Sequence, residues 1–213
     1  MWDWSKNQIE IIFLRHGMTI ENEQHRYLGN TDTSLSRKGI CKLQALQKNG
    51  TYPKTDILFC SPMKRCTETA EILYPNHTPI YIPEWREMDF GEFEGKNYIE
   101  LQKNPDYQAW IDSNGTLPFP GGESREEFKR RNVTGFQKAV NGCLRNGISL
   151  AALVVHGGTI MNVMEEYADE DRSFYDWHVQ NGKGYEVEID PELWKKGRKF
   201  LHVIRELLRY IYE

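Results

Sequence analysis

Arg15, His16 and Gly17 form the stretch of this 213-residue chain with the clearest chemical potential. They follow a short apolar run, residues 9–14, in which Glu10 is the only charged side chain. A brief run rich in branched residues predicts a buried strand rather than a helix. Arginine offers a planar fork of donors for phosphate oxygens, histidine offers a nitrogen nucleophile, and glycine lets a ligand approach the backbone. The sequence therefore predicts a phosphate pocket at the carboxyl end of this strand.

The same pattern recurs later in the chain. Residues 150–155 are continuously apolar, which predicts a central parallel strand buried on both faces, and His156 and Gly157 follow it directly. If the two strands are neighbours in one sheet, both imidazoles lie on the same rim. A helix running on from Thr159 would aim free backbone N–H groups at an anion there. A lone histidine at a strand end is usually structural, whereas this matched pair indicates a catalytic site.

A second arginine stands at a second junction between strand and helix. Residues 56–60 predict a strand, and Ser61 and Pro62 predict the cap and first turn of the helix that follows. The apolar stripe of that helix turns Arg65 toward the helix entrance rather than into the core. Alone, Arg65 would be a solvated surface residue; together with Arg15 it predicts a second phosphate ligand.

The proton donor for such a site is expected among the carboxylates of residues 85–95. Four acidic side chains occur there: Glu87, Asp89, Glu92 and Glu94. The chemistry needs a carboxylic acid whose pKa is raised by burial and by a dianionic substrate. Residues 79–83 predict a third strand, and we take Glu87, which follows it, as the acid, while the other three stay as alternates.

Together these residues predict phosphoryl transfer from an alcohol. His16 would attack to give a phosphohistidine while Glu87 protonates the departing alkoxide. The phosphate oxygens would be held by Arg15, Arg65, His156 and Asn22. This scheme requires neither a divalent metal nor another cofactor. A competing metal site made from the two histidines and a carboxylate would explain neither arginine, because cations repel a bound metal.

Two further helices carry capping patterns. Ser36 precedes an apolar stripe that ends before Gly50. Ser124, with Glu127 three residues on, forms a capping-box pattern ahead of a long helix that ends near Gly147. Both helices separate predicted strands, so the chain alternates between strand and helix as α/β proteins do.

The remaining segments complete the predicted organisation. We expect one domain over residues 1–213, with a polar, cap-like excursion at 96–120 where substrate selectivity would be set. Residues 185–189 and 200–204 predict edge strands of the same sheet, and 206–213 a helical tail. The fold class is therefore α/β with a mostly parallel central sheet and a small cap.

Composition excludes several classes of partner. The formal net charge of −4 argues against nucleic acid or an anionic membrane surface, which are normally met by a basic excess. Residues 1–7 lack the apolar core of a signal peptide, and the longest apolar run is far too short to span a bilayer, so we expect a cytoplasmic protein. The expected partner is a small-molecule phosphate monoester, and a homodimer is a possible assembly.

The four cysteines form no C-x-x-C pair and are expected to be reduced, buried hydrophobes: Cys41, Cys60, Cys66 and Cys143.

These motifs resemble the histidine phosphatase superfamily, which includes cofactor-dependent phosphoglycerate mutase and the fructose-2,6-bisphosphatases. The resemblance covers about residues 9–189. It is carried by residues 15–17 with Thr19 and Asn22, by Gly29, Asp32, Leu35 and Gly39, by Ser61, Pro62, Arg65, Thr69 and Ala70, by Glu87, Gly91, Glu94 and Gly95, and by residues 156–158. It implies a three-layer α/β/α sandwich.

The resemblance also implies roles for individual residues. His16 would be the phosphorylated nucleophile and Glu87 the acid. The implied phosphate ligands are Arg15, Arg65 and His156. Three further residues are expected to contact substrate: Asn22, Gly29 in its turn, and Gly157.

Within the superfamily, the chain is most similar to α-ribazole phosphatase, which removes a 5′-phosphate during assembly of the cobalamin nucleotide loop. This likeness rests on residues 86–91, the short cap and residues 119–124. Broad-specificity phosphatases share much of this pattern, and they and phosphoglycerate mutase stay as alternatives. Mutases usually carry a longer insertion after the acid to shield the phosphoenzyme from water, so the brief stretch here favours a hydrolase. A catalytically idle phospholigand sensor would be expected to lack the nucleophile or the acid, and both are present.

Overall fold

Six strands form one sheet in the computed structural model, which describes residues 8–207. In chain order they are β1 (Ile9–Arg15), β2 (Ile57–Cys60), β3 (Ile80–Tyr81), β4 (Leu150–Val155), β5 (Gly184–Ile189) and β6 (His202–Leu207). Their order across the sheet is β3-β2-β4-β1-β5-β6. The first four in that order run parallel, and β5 is antiparallel to both of its neighbours. The predicted α/β class with a mostly parallel sheet is confirmed.

Helices of very different length connect these strands. They are α1 (Ile20–Glu23), α2 (Arg37–Lys48), α3 (Lys64–Leu73), α4 (Tyr98–Leu101), α5 (Pro105–Asp112), α6 (Arg125–Asn146), α7 (Gly157–Tyr167) and α8 (Pro191–Lys195). Single 3₁₀ turns occur at Pro83–Trp85, Gly91–Phe93 and Phe174–Trp177. Within residues 8–207, no helix has the length and apolar character needed to cross a membrane.

Two hydrophobic cores cover the two faces of the sheet. Successive strand side chains point to opposite faces, so Phe13 packs in the core that includes Phe136 of α6. Its neighbour Leu14 packs in the other core, with Leu43 of α2 and Ala70 of α3. Helices therefore lie on both sides of the sheet, and the three-layer α/β/α arrangement is confirmed.

The predicted caps of α2 and α6 are present. Ser36 accepts a hydrogen bond from the Gly39 N–H, and Ser124 and Glu127 form a reciprocal capping box. Gly147 ends α6 in the left-handed conformation, with φ of 63°. These local signals suffice because each cap satisfies backbone groups within a few residues of itself.

The start of α3 differs from the prediction. Helix α3 begins at Lys64 with Met63 at its N-cap position, not at Ser61 and Pro62. The Ser61 hydroxyl lies 2.8 Å from Nε2 of His156 instead. A tertiary contact has therefore taken the side chain that the local pattern assigned to a cap.

Two predictions near the end of the chain are wrong. Strand β5 was expected at an edge, but it lies between β1 and β6. Polar and apolar residues alternate along β5 although the strand is internal. The polar Glu186 is buried there because Arg205 of β6 pairs with it at 2.6 Å. Glu206 and Leu207 belong to β6 rather than to a helical tail, and the rest of the predicted tail, 208–213, lies outside the described residues.

The excursion at 96–120 contains the short helices α4 and α5. Three of its side chains, Leu101, Tyr107 and Phe119, pack with Phe93 in a small buried cluster separate from the two cores of the sheet. Tyr27 joins this cluster, and its hydroxyl lies 3.1 Å from that of Tyr107. The excursion is therefore packed against the loop that follows α1. One domain over residues 1–213 stays a prediction.

All four cysteines are free. Three of them are buried as expected, but Cys41 is exposed on α2. The prediction of four buried thiols is wrong for Cys41, because its position on the helix faces away from the stripe formed by Leu43 and Leu46.

Candidate active site

The two histidines lie side by side at the rim of the sheet. Strands β1 and β4 are parallel neighbours in which Arg15 pairs with Val155, so His16 and His156 leave the sheet at the same level. Their ring centroids are 5.2 Å apart at an interplanar angle of 65°. Both side chains are buried. The expectation that both imidazoles share one rim is therefore met by the sheet topology.

The protonation of His16 suits a nucleophile. Its Nδ1 lies 2.7 Å from the Gly17 carbonyl oxygen, an acceptor, so Nδ1 carries the proton and Nε2 keeps a free electron pair. Burial, followed by the charges of Arg65 and Arg15, lowers the pKa of His16 well below 6.5. The Gly17 N–H donates to Thr69 Oγ1 at 2.9 Å, which anchors this turn to α3. The imidazole is thus neutral and oriented at neutral pH.

Two arginines contribute to the site: Arg65 is buried and Arg15 is partly buried. Arg15 donates from Nη1 to the Val179 carbonyl at 2.7 Å, and Arg65 donates to the carbonyls of Thr31 and Gly29 at 2.9 and 2.8 Å. The Nε atoms of both arginines are buried without a hydrogen-bond partner among the described residues. A buried unpaired donor is costly, and a phosphate oxygen is the acceptor that such a fork fits best. Burial also lowers the pKa of Arg15, and the charge of Arg65 lowers it further.

His156, which follows β4, lies between Ser61 at the β2–α3 junction and Glu87 in the loop after β3. Its Nε2 contacts the Ser61 hydroxyl, while its Nδ1 lies 4.0 Å from Oε2 of Glu87. Burial, followed by the charge of Arg65, lowers the pKa of His156 well below 6.5. His156 is also the N-cap residue of α7, so the first N–H groups of that helix start at the site.

Glu87 is the carboxylate nearest the histidines. Its Oε1 accepts a hydrogen bond from the Met88 N–H at 3.0 Å. Burial raises its pKa, against the opposing effect of that hydrogen bond and of nearby arginines. Gly158 makes room for it, because a Cβ at that position would lie 2.7 Å from Oε1. The raised pKa favours the protonated form of the carboxyl, which is the form that can donate a proton.

The alternate acids lie elsewhere. Glu94 accepts hydrogen bonds from the backbone of Gly29 and Asn30, and Asp89 accepts from the Asn30 side chain. Glu92 is exposed. Glu94 and Asp89 therefore hold the loop that follows α1, which leaves Glu87 as the acid candidate.

Two predicted substrate contacts have other roles in the structure. Gly29 packs against the Met88 carbonyl so closely that a Cβ would lie 1.8 Å from it, and Gly29 lines neither cavity described below. Its own carbonyl holds Arg65. The Asn22 side chain accepts from the Thr19 N–H in the capping box of α1, although Asn22 also lines the site. Gly157 lies against the Arg15 guanidinium and lines the site as well.

Sequence reasoning missed two residues beside the site. Asn181 donates from Nδ2 to the carbonyls of His16 and Gly17 and to Asn22 Oδ1. His178 lies 3.2 Å from Nη1 of Arg15. Both precede β5, and the pairing of β5 with β1 brings them to the rim; an Asn-Gly pair ahead of a strand was the only local signal.

Two cavities open from this rim and share five lining residues: Arg15, Asn22, Arg26, Tyr27 and His178. The first, of about 280 Å³, contains Glu87 and Gly158 and is walled by aromatic side chains: Tyr27, Phe90, Trp110, Phe119, Phe128, Phe174 and Tyr175. We call it the aromatic lobe. The second, of about 500 Å³, is walled mainly by polar and basic side chains, among them Lys42 and Asn181.

This geometry defines a class of protein. A neutral, oriented imidazole lies beside a second buried imidazole, two arginines and a carboxyl of raised pKa. Such a set can transfer a phosphoryl group through the histidine, on an α/β fold whose ligand site lies beyond the carboxyl ends of parallel strands. Within residues 8–207, no three His, Cys, Asp or Glu side chains form a group that could hold a metal ion.

Comparison with known proteins agrees with this class. The chain belongs to the histidine phosphatase superfamily, branch 1, whose family profile matches residues 11–199. It is therefore a phosphatase by family membership.

Individual relatives carry the names of phosphatases. The chain is 31% identical over 190 residues to the uncharacterized phosphatase PhoE of Bacillus subtilis, covering 87% of this chain and 91% of that protein. It is 32% identical over 123 residues to adenosylcobalamin/alpha-ribazole phosphatase of Escherichia coli, covering 55% and 60% of the two chains. The alpha-ribazole phosphatase structure from Shigella flexneri superposes with a TM-score of 0.80 at 22% identity, covering 96% of this chain and 99% of that chain. At that identity, the superposition supports the fold.

Proposed function

We propose that this chain hydrolyses a phosphate monoester through a phosphohistidine at His16, without a metal, and that its substrate is α-ribazole 5′-phosphate. The observation that carries the reaction is the neutral His16 with its free Nε2 beside two arginines that each keep an unpaired buried donor. The observation that supports the substrate is the aromatic lobe. A small-molecule partner, a cytoplasmic location and a possible homodimer stay predictions from the sequence.

In the first step, Nε2 of His16 attacks phosphorus and the bond to the ester oxygen breaks. The leaving alkoxide takes a proton from the Glu87 carboxyl, whose pKa burial raises. Arg15 and Arg65 hold the equatorial oxygens through their fork donors while charge redistributes. The product of this step is the phosphohistidine and the free alcohol.

In the second step, water attacks phosphorus and the bond to Nε2 breaks. The Glu87 carboxylate, left ionised by the first step, accepts a proton from that water. His16 returns to its neutral form, which the hydrogen bond from Nδ1–H to the Gly17 carbonyl maintains. Inorganic phosphate leaves and the cycle closes.

The aromatic lobe favours a leaving group with a flat apolar ring. Trp110 and Phe119 lie with ring centroids 5.1 Å apart on one wall, and Arg125 covers Phe174 at 4.5 Å on another. Stacking on such walls stabilises an aromatic ring by about 1–3 kcal/mol. The benzimidazole of α-ribazole 5′-phosphate meets this requirement, and a three-carbon acid phosphate does not.

The short cap supports hydrolysis rather than mutase chemistry. The excursion after Glu87 contains only α4 and α5, of 4 and 8 residues. A mutase must exclude water from its phosphoenzyme until the phosphoryl group is returned. The aromatic lobe, which contains Glu87, reaches the surface beside the exposed Tyr175, so water can enter the lobe.

The test is phosphate release in the presence of a chelator by wild type and His16→Ala. The panel contains α-ribazole 5′-phosphate, 3-phosphoglycerate, fructose 2,6-bisphosphate and 4-nitrophenyl phosphate. Among the three natural compounds, we expect kcat/KM of the wild type to be highest for α-ribazole 5′-phosphate. The wild type should also form an acid-labile phosphoprotein. His16→Ala should lose both the activity and the phosphoprotein. His77→Ala is the matched control, because His77 bonds the Thr55 carbonyl away from the site.

Each part of the proposal can fail separately. A His16→Ala rate near that of wild type removes the nucleophile, and abolition of turnover by chelator removes the metal-free mechanism. Flat kcat/KM across the panel leaves the reaction but removes α-ribazole 5′-phosphate as the substrate. Phosphate transfer back to glycerate in place of release would establish a mutase.

The aromatic lobe has its own test. Phe174→Ala should lower kcat/KM about tenfold for α-ribazole 5′-phosphate, since one stacking wall is lost, and much less for 3-phosphoglycerate. Tyr98→Ala, at an exposed side chain of the neighbouring cavity, is the control. Equal losses on both substrates would show that Phe174 does not bind the leaving group.

A further inference from the structure

Arg131 of α6 uses all of its hydrogen-bonding capacity behind the site. An arginine has five N–H donors. Nε and Nη2 donate to the two carboxylate oxygens of Glu123 at 2.6 and 2.7 Å. The guanidinium carbon also lies 4.7 Å from the centre of the Phe128 ring. The side chain is therefore fixed in one orientation before its other donors are considered.

The remaining three donors go to one short segment of backbone. Nη1 donates to the carbonyls of Glu84, at 2.8 Å, and of Arg86, and Nη2 donates to the carbonyl of Glu87 at 3.0 Å. This segment turns from a 3₁₀ helix into an irregular loop and has no strand partner of its own. Arg131 thus ties the backbone of the acid candidate to the long helix α6.

Little else fixes the Glu87 carboxyl. Its Oε1 is held only by the adjacent Met88 N–H, and its Oε2 lies 4.0 Å from His156. The place of the carboxyl in the aromatic lobe therefore depends on where its backbone lies. A displacement of about 1 Å in a catalytic group costs on the order of a hundredfold in rate.

We propose that Arg131, fixed by Glu123, is a positioning residue that holds Glu87 in place for proton transfer to the leaving group. This inference rests on the proposed function of Glu87 as the acid. Arg131 itself lines neither the aromatic lobe nor the second cavity of about 500 Å³, so it acts through the acid rather than on the substrate.

Charge gives a second, separable signature. Arg131 lowers the pKa of Glu87, as do Arg65 and Arg15, against the rise caused by burial, and His156 also faces the carboxyl. Removing the charge of Arg131 alone raises the pKa of Glu87 further. The alkaline limb of the pH profile then moves to higher pH, which loss of a purely structural contact would not produce.

The experiment compares Arg131→Lys, Arg131→Gln and Glu123→Gln on an alkyl phosphate and on 4-nitrophenyl phosphate. Lysine keeps the charge but cannot span one carboxylate and three carbonyls. We expect kcat for the alkyl phosphate to fall about tenfold or more in each variant, and kcat for the aryl phosphate to fall much less because its leaving group needs no proton. Only Arg131→Gln should shift the alkaline limb. Arg130→Lys, an exposed arginine of the same helix, is the matched control.

A double-mutant cycle decides whether the effect passes through the acid. In a Glu87→Gln background, Arg131→Lys should lower kcat less than twofold further. An equal fold-loss in both backgrounds, or equal losses on both substrates, would overturn the proposal and leave Arg131 a structural residue. If Arg131→Lys does not fold, Glu123→Gln is compared in the same cycle. An inactive wild type or a fully active Glu87→Gln would instead count against the proposed function.

Discussion

Substituting alanine for Gly158 tests the role of Glu87 as the acid, because the added methyl group would displace the Glu87 carboxyl. A Cβ at this position would lie 2.7 Å from Oε1 of Glu87 and 2.6 Å from Cε1 of Phe128. Contacts of a Cβ below 3.0 Å essentially do not occur, and 3.4 Å begins the ordinary range. To restore normal contact, the Glu87 carboxyl must therefore move by about 0.3–0.7 Å and the Phe128 ring by about 0.4–0.8 Å.

The size of the expected effect follows from that displacement. A shift of about 1 Å in a reacting group costs on the order of a hundredfold, so half of that distance corresponds to about tenfold. Gly158→Ala should lower kcat about tenfold for an alkyl phosphate, whose alkoxide needs the proton from Glu87. The loss for 4-nitrophenyl phosphate should be clearly smaller, because its leaving group departs without protonation.

The assay is steady-state phosphate release on both substrates, with thermal melting of each variant. Overpacking against Phe128 should also destabilise the fold by about 1–3 kcal/mol. Gly142→Ala on α6 is the control, since its Cβ would meet only Cζ of Phe59 at 3.7 Å. It should keep full activity and gain up to about 1 kcal/mol from helix propensity. Equal losses on the two phosphates, or no loss on either, would refute the displacement of Glu87 as the cause.

Three further outcomes are expected. Glu87→Gln should lower kcat far more for alkyl than for aryl phosphates in a leaving-group series, and a parallel loss across the series would assign the acid elsewhere. Gly147→Ala should lower the free energy of unfolding in urea by about 1–2 kcal/mol, because the α6 cap has φ of 63°; unchanged stability would contradict the requirement for glycine there. Burial, then a hydrogen bond with Glu186, raises the pKa of Glu10 from 4.5 to about 7. The stability that its protonated form contributes is present below pH 4.5 and lost as pH rises through 7. The melting temperature of wild type should therefore fall more than that of Glu10→Gln between pH 5 and pH 8, and identical slopes would exclude this linkage.

Local patterns predicted much of the frame on which the site is built. The apolar runs that end at His16 and His156 are strands, and Ser36, Ser124 and Gly147 cap helices as expected. Each of these features depends on side-chain periodicity or on backbone groups within a few residues. Such features therefore need no contact between distant parts of the chain.

The predictions that were wrong concern residues whose partners are distant in the chain. Ser61 matches a helix cap, yet it contacts His156, which is 95 residues away in the chain. Strand β5 matches an edge, yet β6 pairs with it and Arg205 satisfies its buried Glu186. In both cases a contact between distant segments replaced the local partner, and no periodicity records such a contact.

By itself, the sequence determined which chemical groups this protein has and which strand ends carry them. Residues 15–17 and 156–158 predict a phosphoryl-transfer site because they combine imidazole, guanidinium and glycine, which suit that chemistry. Only the tertiary structure decided which carboxyl of residues 85–95 faces the histidines. Burial against α6 and α7 leaves Glu87 in the site, while Glu94 is taken up by the loop at Gly29. Desolvation and the fork geometry of Arg131 exist only once these segments pack together, so local sequence left three alternates beside Glu87 and gave no sign of Arg131.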